Sequence, residues 1–164
     1  MLRDKNLIPL SHQHQHALAL CVRIERASPI PDPDLNAWQD EISQLYRAEI
    51  TIHFAAEEKI VFPLARRFQG LPALVGELFA EHATLRGAFE RAEGHSFSSG
   101  DLLNLSRQLS AHIRKEERQL FEQLQQLVSA EELNRVGHEL AEALKGVSQA
   151  CAIPAEQTRL RPGK

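Results

Sequence analysis

Apolar residues recur along this chain at intervals of three, four and seven, the signature of helices with one buried face. The first such stretch, from Pro9 to Ala27, carries Leu10, Ala17, Leu18, Cys21 and Ile24. The second, from Asp34 to Phe68, carries Leu35, Trp38, Ile42, Leu45, Ile60 and Leu64. Val75, Leu78, Leu85 and Phe89 mark a third between Pro72 and Glu93. Leu102, Leu105, Leu109, Leu120 and Leu124 mark a fourth between Asp101 and Leu127. A fifth, from Glu131 to Lys145, carries Leu133, Val136, Leu140 and Leu144, and the run from Ser129 to Glu132 opens it as a capping box. Helix-breaking segments fall between: the Pro-rich 28–33, the Gly-Leu-Pro turn at 69–72, a polar and flexible 94–100, and Val128-Ser129. No alternating strand pattern competes. The expectation is an all-α protein, an up-down-up-down four-helix bundle with an accessory C-terminal helix. One domain is expected over residues 1–147, with a flexible tail over 148–164.

Composition agrees and narrows the function. Ala, Leu, Glu, Gln and Arg dominate, which favours helix, and 164 residues suffice for one real core. A net charge of −3 with interspersed signs gives no basic footprint, so no nucleic-acid partner is expected. No segment approaches the roughly 20 apolar residues that span a membrane, and the N-terminus lacks the apolar run of an export signal. Cys21 and Cys151 form no motif, which suits a reducing cytoplasm. A soluble cytoplasmic protein is expected, as monomer or homodimer.

The polar positions inside the apolar stripes carry the chemistry. His14 lies four after Leu10 and seven before Cys21, and His82 four after Leu78 and seven before Phe89. His53 and Glu57 are in phase with Ile42 and Leu64, and His112 and Glu116 with Leu105. Residues at i and i+4 share a face, so both His-x-x-x-Glu pairs aim inward. Heights agree too: His82 and His112 each stand 15 residues from Phe97, and His53 and Glu57 stand 17 and 13 before Gly70, with His82 12 after it. At about 1.5 Å per residue, antiparallel neighbours bring these groups to one level. An internal repeat reinforces the pattern: His53, Glu57, Glu58, Lys59 and Phe62 align without a gap on His112, Glu116, Glu117, Arg118 and Phe121.

Burying an unpaired carboxylate costs several kcal/mol unless it is paired or bound to metal. Two carboxylates and four imidazoles in one apolar layer therefore point to cations: iron, manganese or zinc, since no thiolate is offered. The set fits two metals, each with two His and sharing both Glu. His14 and His53 are expected on one ion, and His82 and His112 on the other. Of the remaining histidines, His12, His95 and His138 are expected to take no part, and His16 to replace His14 only if helix 1 is rotated. Glu49 and Glu81 are candidates for an extra ligand, a partner orienting a His, a proton relay or a surface salt bridge. Glu58 and Glu117 are expected to face outward, and Cys21 to fill the core.

The joint pattern resembles the hemerythrin-like, HHE cation-binding family, over roughly residues 7 to 128. Its matching residues are Leu10 to His14, His53-x-x-x-Glu57-Glu58 followed by Phe62-Pro63, Glu81-His82, and His112-x-x-x-Glu116-Glu117. The resemblance implies a non-haem di-iron centre with oxo or hydroxo and carboxylate bridges, in which zinc or manganese can substitute. It implies a small diatomic ligand or peroxide, and a role in oxygen, redox or nitric oxide handling or iron homeostasis. It also accounts for Pro63, which family members tolerate just past the ligand turn. Oxygen carriers of the family have two His four apart on helix 3. Here Leu78 and Arg86 flank His82, so the fifth His is missing, which weakens the case for reversible oxygen carriage. The remaining set resembles that of di-iron proteins that repair iron centres, without their usual cysteine-bearing N-terminal domain. A binding or sensing protein is expected, ahead of a di-iron oxidase or peroxidase, and ahead of a metal-free bundle whose polar layer only fixes register.

Overall fold

The computed structural model describes residues 2–150, and every regular element among the described residues is helical. Helix α1 is Ile8–Ala27. Helix α2 covers 32–65: the α-helical parts Asp32–Leu45, Thr51–Ala56 and Phe62–Ala65 are joined by π-helical turns at Tyr46–Ile50 and Glu57–Val61. Helix α3 is Leu71–Glu93. Helix α4 covers 99–127, as Ser99–Lys115, a π turn at Glu116–Leu120, and Phe121–Leu127. Helices α5, Ala130–Ala143, and α6, Lys145–Ala150, follow. The long helices pack α1 on α4, α2 on α3 and α3 on α4, while α5 lies against the 51–61 part of α2. The expected tail lies beyond residue 150, outside the described residues. No described helix is long and apolar enough to cross a membrane.

Local chemistry sets the helix ends. Pro9 and Pro72 stand in first turns, where the missing N–H has no partner to lose. Gly70, at φ 89°, makes the left-handed step into α3 that side chains avoid. Ser129 caps α5 by accepting from the Glu132 N–H at 3.3 Å. Ser98 and Asp101 form a reciprocal capping box at α4. The 94–100 connector is tied down rather than free. Phe97 is buried, and its N–H donates to the buried Gln39 side chain at 3.0 Å.

The π turns are the feature that apolar spacing did not reveal. In each, a backbone N–H reaches five residues back: Thr51 to Tyr46, Phe62 to Glu57, Phe121 to Glu116. One extra residue per turn advances the phase. Tyr46, four after Ile42, and Val61, at the end of the second π turn, are buried where Leu45 and Ile60 were expected, and those two are only half-buried. The second wide turn also lets the helix restart with Pro63 in its first turn, where proline costs little.

The core is split. One apolar cluster gathers Leu7, Leu10, Val61, Phe62, Leu78 and Phe121. The other gathers Cys21, Ile24, Ile42, Phe89, Leu102 and Leu105. On each long helix a polar layer separates the two.

Candidate metal centre

That layer holds all six inward groups, and Glu57, His82 and Glu116 are fully buried, with His14, His53 and His112 at most 4% exposed. Each histidine turns Nε2 to the centre. His53 Nε2 is 2.9 Å from His14 Nε2 and 3.2 Å from Glu57 Oε1. His14 Nε2 is 3.2 Å from Glu116 Oε2. Across the layer, His112 Nε2 is 3.2 Å from Glu116 Oε1, and His82 Nε2 is 3.4 Å from Glu57 Oε2. Each carboxylate thus offers one oxygen to the His14/His53 pair and the other to the His82/His112 pair.

This spacing suits ions. Ligand atoms about 2.1 Å from one metal stand about 3 Å apart when the angle between them is near a right angle. Two groups, His14, His53, Glu57, Glu116 and Glu57, His82, His112, Glu116, each bring four ligand atoms within 4.8 Å of one another. Both oxygens of Glu57 and of Glu116, with Nε2 of His82 and His112, are buried and lack a hydrogen-bond partner. Such a cluster is costly in a protein interior unless something binds it.

Protons are the protein's own means of balancing the charge. Burial pushes His14, His82 and His112 toward neutrality, but the Glu116 carboxylate, with Glu117 and Glu57, outweighs it and raises them to about 9, 9 and 10. Burial would raise Glu57 and Glu116, yet His53 and His112 respectively, with His82, hold both below the usual carboxylate range. Divalent ions would displace those protons and meet the same carboxylates.

Behind the six stands a second ring, attached to every Nδ1. Glu117 takes His14 at 2.7 Å, Glu58 takes His82 at 2.8 Å, and Glu81 takes His112 at 2.8 Å. Gln13 takes His53 at 2.6 Å. Glu58 and Glu117 therefore do not face outward. One residue past an inward Glu, they sit on the flank of the helix, where an imidazole of the neighbouring helix is in reach. All three carboxylates have cations of their own: Arg3 on Glu117 at 2.6 Å, Arg86 on Glu58 at 2.8 Å, and Lys115 on Glu81. Arg86 also lies over the Phe54 ring.

The internal repeat now has a structural meaning. Its paired residues Glu58 and Glu117 hold His82 and His14, and its paired rings Phe62 and Phe121 stack on the same two histidines at 5.2 and 5.7 Å. Phe54 also stacks on His82, at 3.8 Å. Glu49 pairs with the half-exposed His16 at 3.1 Å. Beside the layer is a cavity of about 10 Å³, lined by His14, Glu49, Ile50, His53, Leu109 and His112 among others, roughly the space one water molecule needs. His95 pairs with Asp40 on an exposed surface, away from the layer. Cys21 is buried and unpaired by disulfide, and burial lifts its thiol to about 11. Gln13, Arg3 and the roles of Glu58 and Glu117 escaped the sequence reading. The usable signal was the second Glu after each His-x-x-x-Glu.

A DNA nickase of Nostoc sp. (strain PCC 7120 / SAG 25.82 / UTEX 2576) is 28% identical over 115 residues, covering 68% of this chain and 32% of that protein. The chain thus spans about a third of that relative's length. No solved structure matches. The family model for the hemerythrin HHE cation binding domain matches residues 9–124, which include all six inward groups. The chain belongs to the hemerythrin HHE cation-binding domain family.

Proposed function

We propose that this protein binds two iron ions and handles a small oxidant or diatomic gas at them. His14 and His53 hold one ion, His82 and His112 the other, and Glu57 and Glu116 bridge the two. The observation that carries this reading is the set of buried, unpartnered oxygens and nitrogens facing one another across the layer. Imidazole and carboxylate donors suit iron, and carboxylate-bridged iron pairs are a recurrent use of helix bundles. Iron bound there would supply one-electron redox chemistry toward oxygen, nitric oxide or peroxide. The chain's own part is to fix each imidazole through its Nδ1–H and to keep the layer dry with Phe54, Phe62 and Phe121. Zinc and manganese suit the same donors.

The test is to load the protein anaerobically with Fe(II) and add nitric oxide, oxygen or hydrogen peroxide. A stoichiometric spectral change supports the binding and redox reading. Consumption of peroxide at sub-stoichiometric protein supports an oxidase or peroxidase instead. No iron uptake refutes both. A second reading, metal-dependent DNA cleavage, rests on the name of the nickase relative. Nicking of supercoiled plasmid by the metal-loaded protein, lost on chelation, would establish it, and intact plasmid would exclude it.

A further inference from the structure

The two halves of the layer repeat one another, with one break. In one half, Glu81 precedes His82 and bonds the Nδ1 of His112, the first residue of a His-x-x-x-Glu. In the other half Gln13 precedes His14 and bonds the Nδ1 of His53, the first residue of the equivalent His-x-x-x-Glu. A neutral amide thus stands where its counterpart is a carboxylate. The difference extends one step outward. Lys115, three after His112, pairs with Glu81, whereas the residue three after His53 is Ala56, which offers no cation. His14 and His82 do not share the asymmetry, because both are held by carboxylates. The His82/His112 pair therefore has two carboxylate-backed imidazoles and the His14/His53 pair has one.

A carboxylate accepting from Nδ1–H raises the basicity of the opposite ring nitrogen, and its hydrogen bond is about twice as strong as that of a neutral amide. An imidazole backed by an amide is the poorer donor and is less firmly oriented. We propose that Gln13 is a positioning residue that makes the two metal positions unequal, with the His14/His53 position the weaker and the more readily emptied. The inference rests on the two-metal reading above and goes beyond it by ranking the positions and naming the residue that sets the rank.

The experiment is a titration of metal-free protein with Co(II), followed by visible absorption and calorimetry, for wild type, Gln13→Glu and the mirror change Glu81→Gln. Circular dichroism reports that each is folded. Wild type is expected to bind in two steps separated by about tenfold or more, the scale of such partner effects on metal affinity. Gln13→Glu strengthens the weak step by about tenfold and draws the steps together from below. Glu81→Gln weakens the tight step and draws them together from above. Two equal steps in wild type, or a weak step unmoved by Gln13→Glu, would overturn the inference while leaving the two-metal reading intact. No Co(II) uptake by wild type would overturn that reading and the inference with it.

Discussion

Stripping the metal from this protein should lower its melting temperature by an amount that grows with pH. Metal bound only to the folded state stabilises it by about 2.7 kcal/mol per site at a free concentration a hundred times Kd, so by about 5 kcal/mol for two sites. In a domain of this size each kcal/mol moves Tm by about 2–4 °C, which gives a gap of about 10–20 °C. The pH dependence follows from the histidines. In the metal-free fold His14 and His82 are raised to about 9 and His112 to about 10, above the 6.5 they have when exposed. Groups with raised pKa contribute stability that is full below about 6.5 and is lost as pH climbs through about 9 to 10. The stripped protein therefore weakens over that window. In the loaded protein the same nitrogens would face the metal and carry no proton, so affinity rises with pH and loading near neutrality releases protons. The assay is calorimetric melting of Fe(II)-loaded and chelator-stripped protein, kept anaerobic, at about pH 6.5 and about pH 8.5. Equal melting temperatures at both pH values would refute the metal reading. A gap that narrows with pH would refute the account of the protonated histidines.

Further substitutions, with their controls, probe the supporting structure. Glu117→Ala removes the group that accepts from His14 and unpairs Arg3. It should weaken one metal by about 10–100-fold in a Co(II) titration, whereas His12→Ala and His95→Ala should leave both steps unchanged. Phe54→Ala opens a buried space against His82 and should cost about 3–5 kcal/mol in denaturant unfolding. At Gly137 a Cβ would meet Asn6 Oδ1 at 2.2 Å and Asn6 Cβ at 2.8 Å. Gly137→Ala should therefore cost about 1–3 kcal/mol, with much of the loss restored by Asn6→Gly in a double-mutant cycle.

The helices and the six inward groups were legible because both depend on phase, and phase is written in residue spacing. Leu10, His14, Ala17 and Cys21 lie on one face whatever the neighbouring helices do. What spacing could not convey was the point at which phase slips. Nothing at Tyr46–Ile50 or Glu116–Leu120 marks a π turn, since neither holds a glycine or proline, so those slips became visible only with the fold. The second ring was hidden for a different reason. Whether Glu58 faces solvent or His82 depends on how far α3 lies from the flank of α2, a tertiary distance that no single helix encodes. Gln13 was similarly silent, one polar residue among the histidines of 12–16 until its oxygen met His53. Arg3 lies outside every periodic stretch and reaches Glu117 only because the N-terminal segment is pinned to α4 through Gln125.

The most direct test of the central claim is metal analysis of freshly purified protein, with its absorption spectrum taken before and after dithionite. The account predicts about two irons per chain, near-ultraviolet bands that reduction bleaches, and a metal content well below that in Glu57→Ala and Glu116→Ala. Protein that arrives without metal and takes up no iron on anaerobic reconstitution would contradict it, as would full metal retention in both variants.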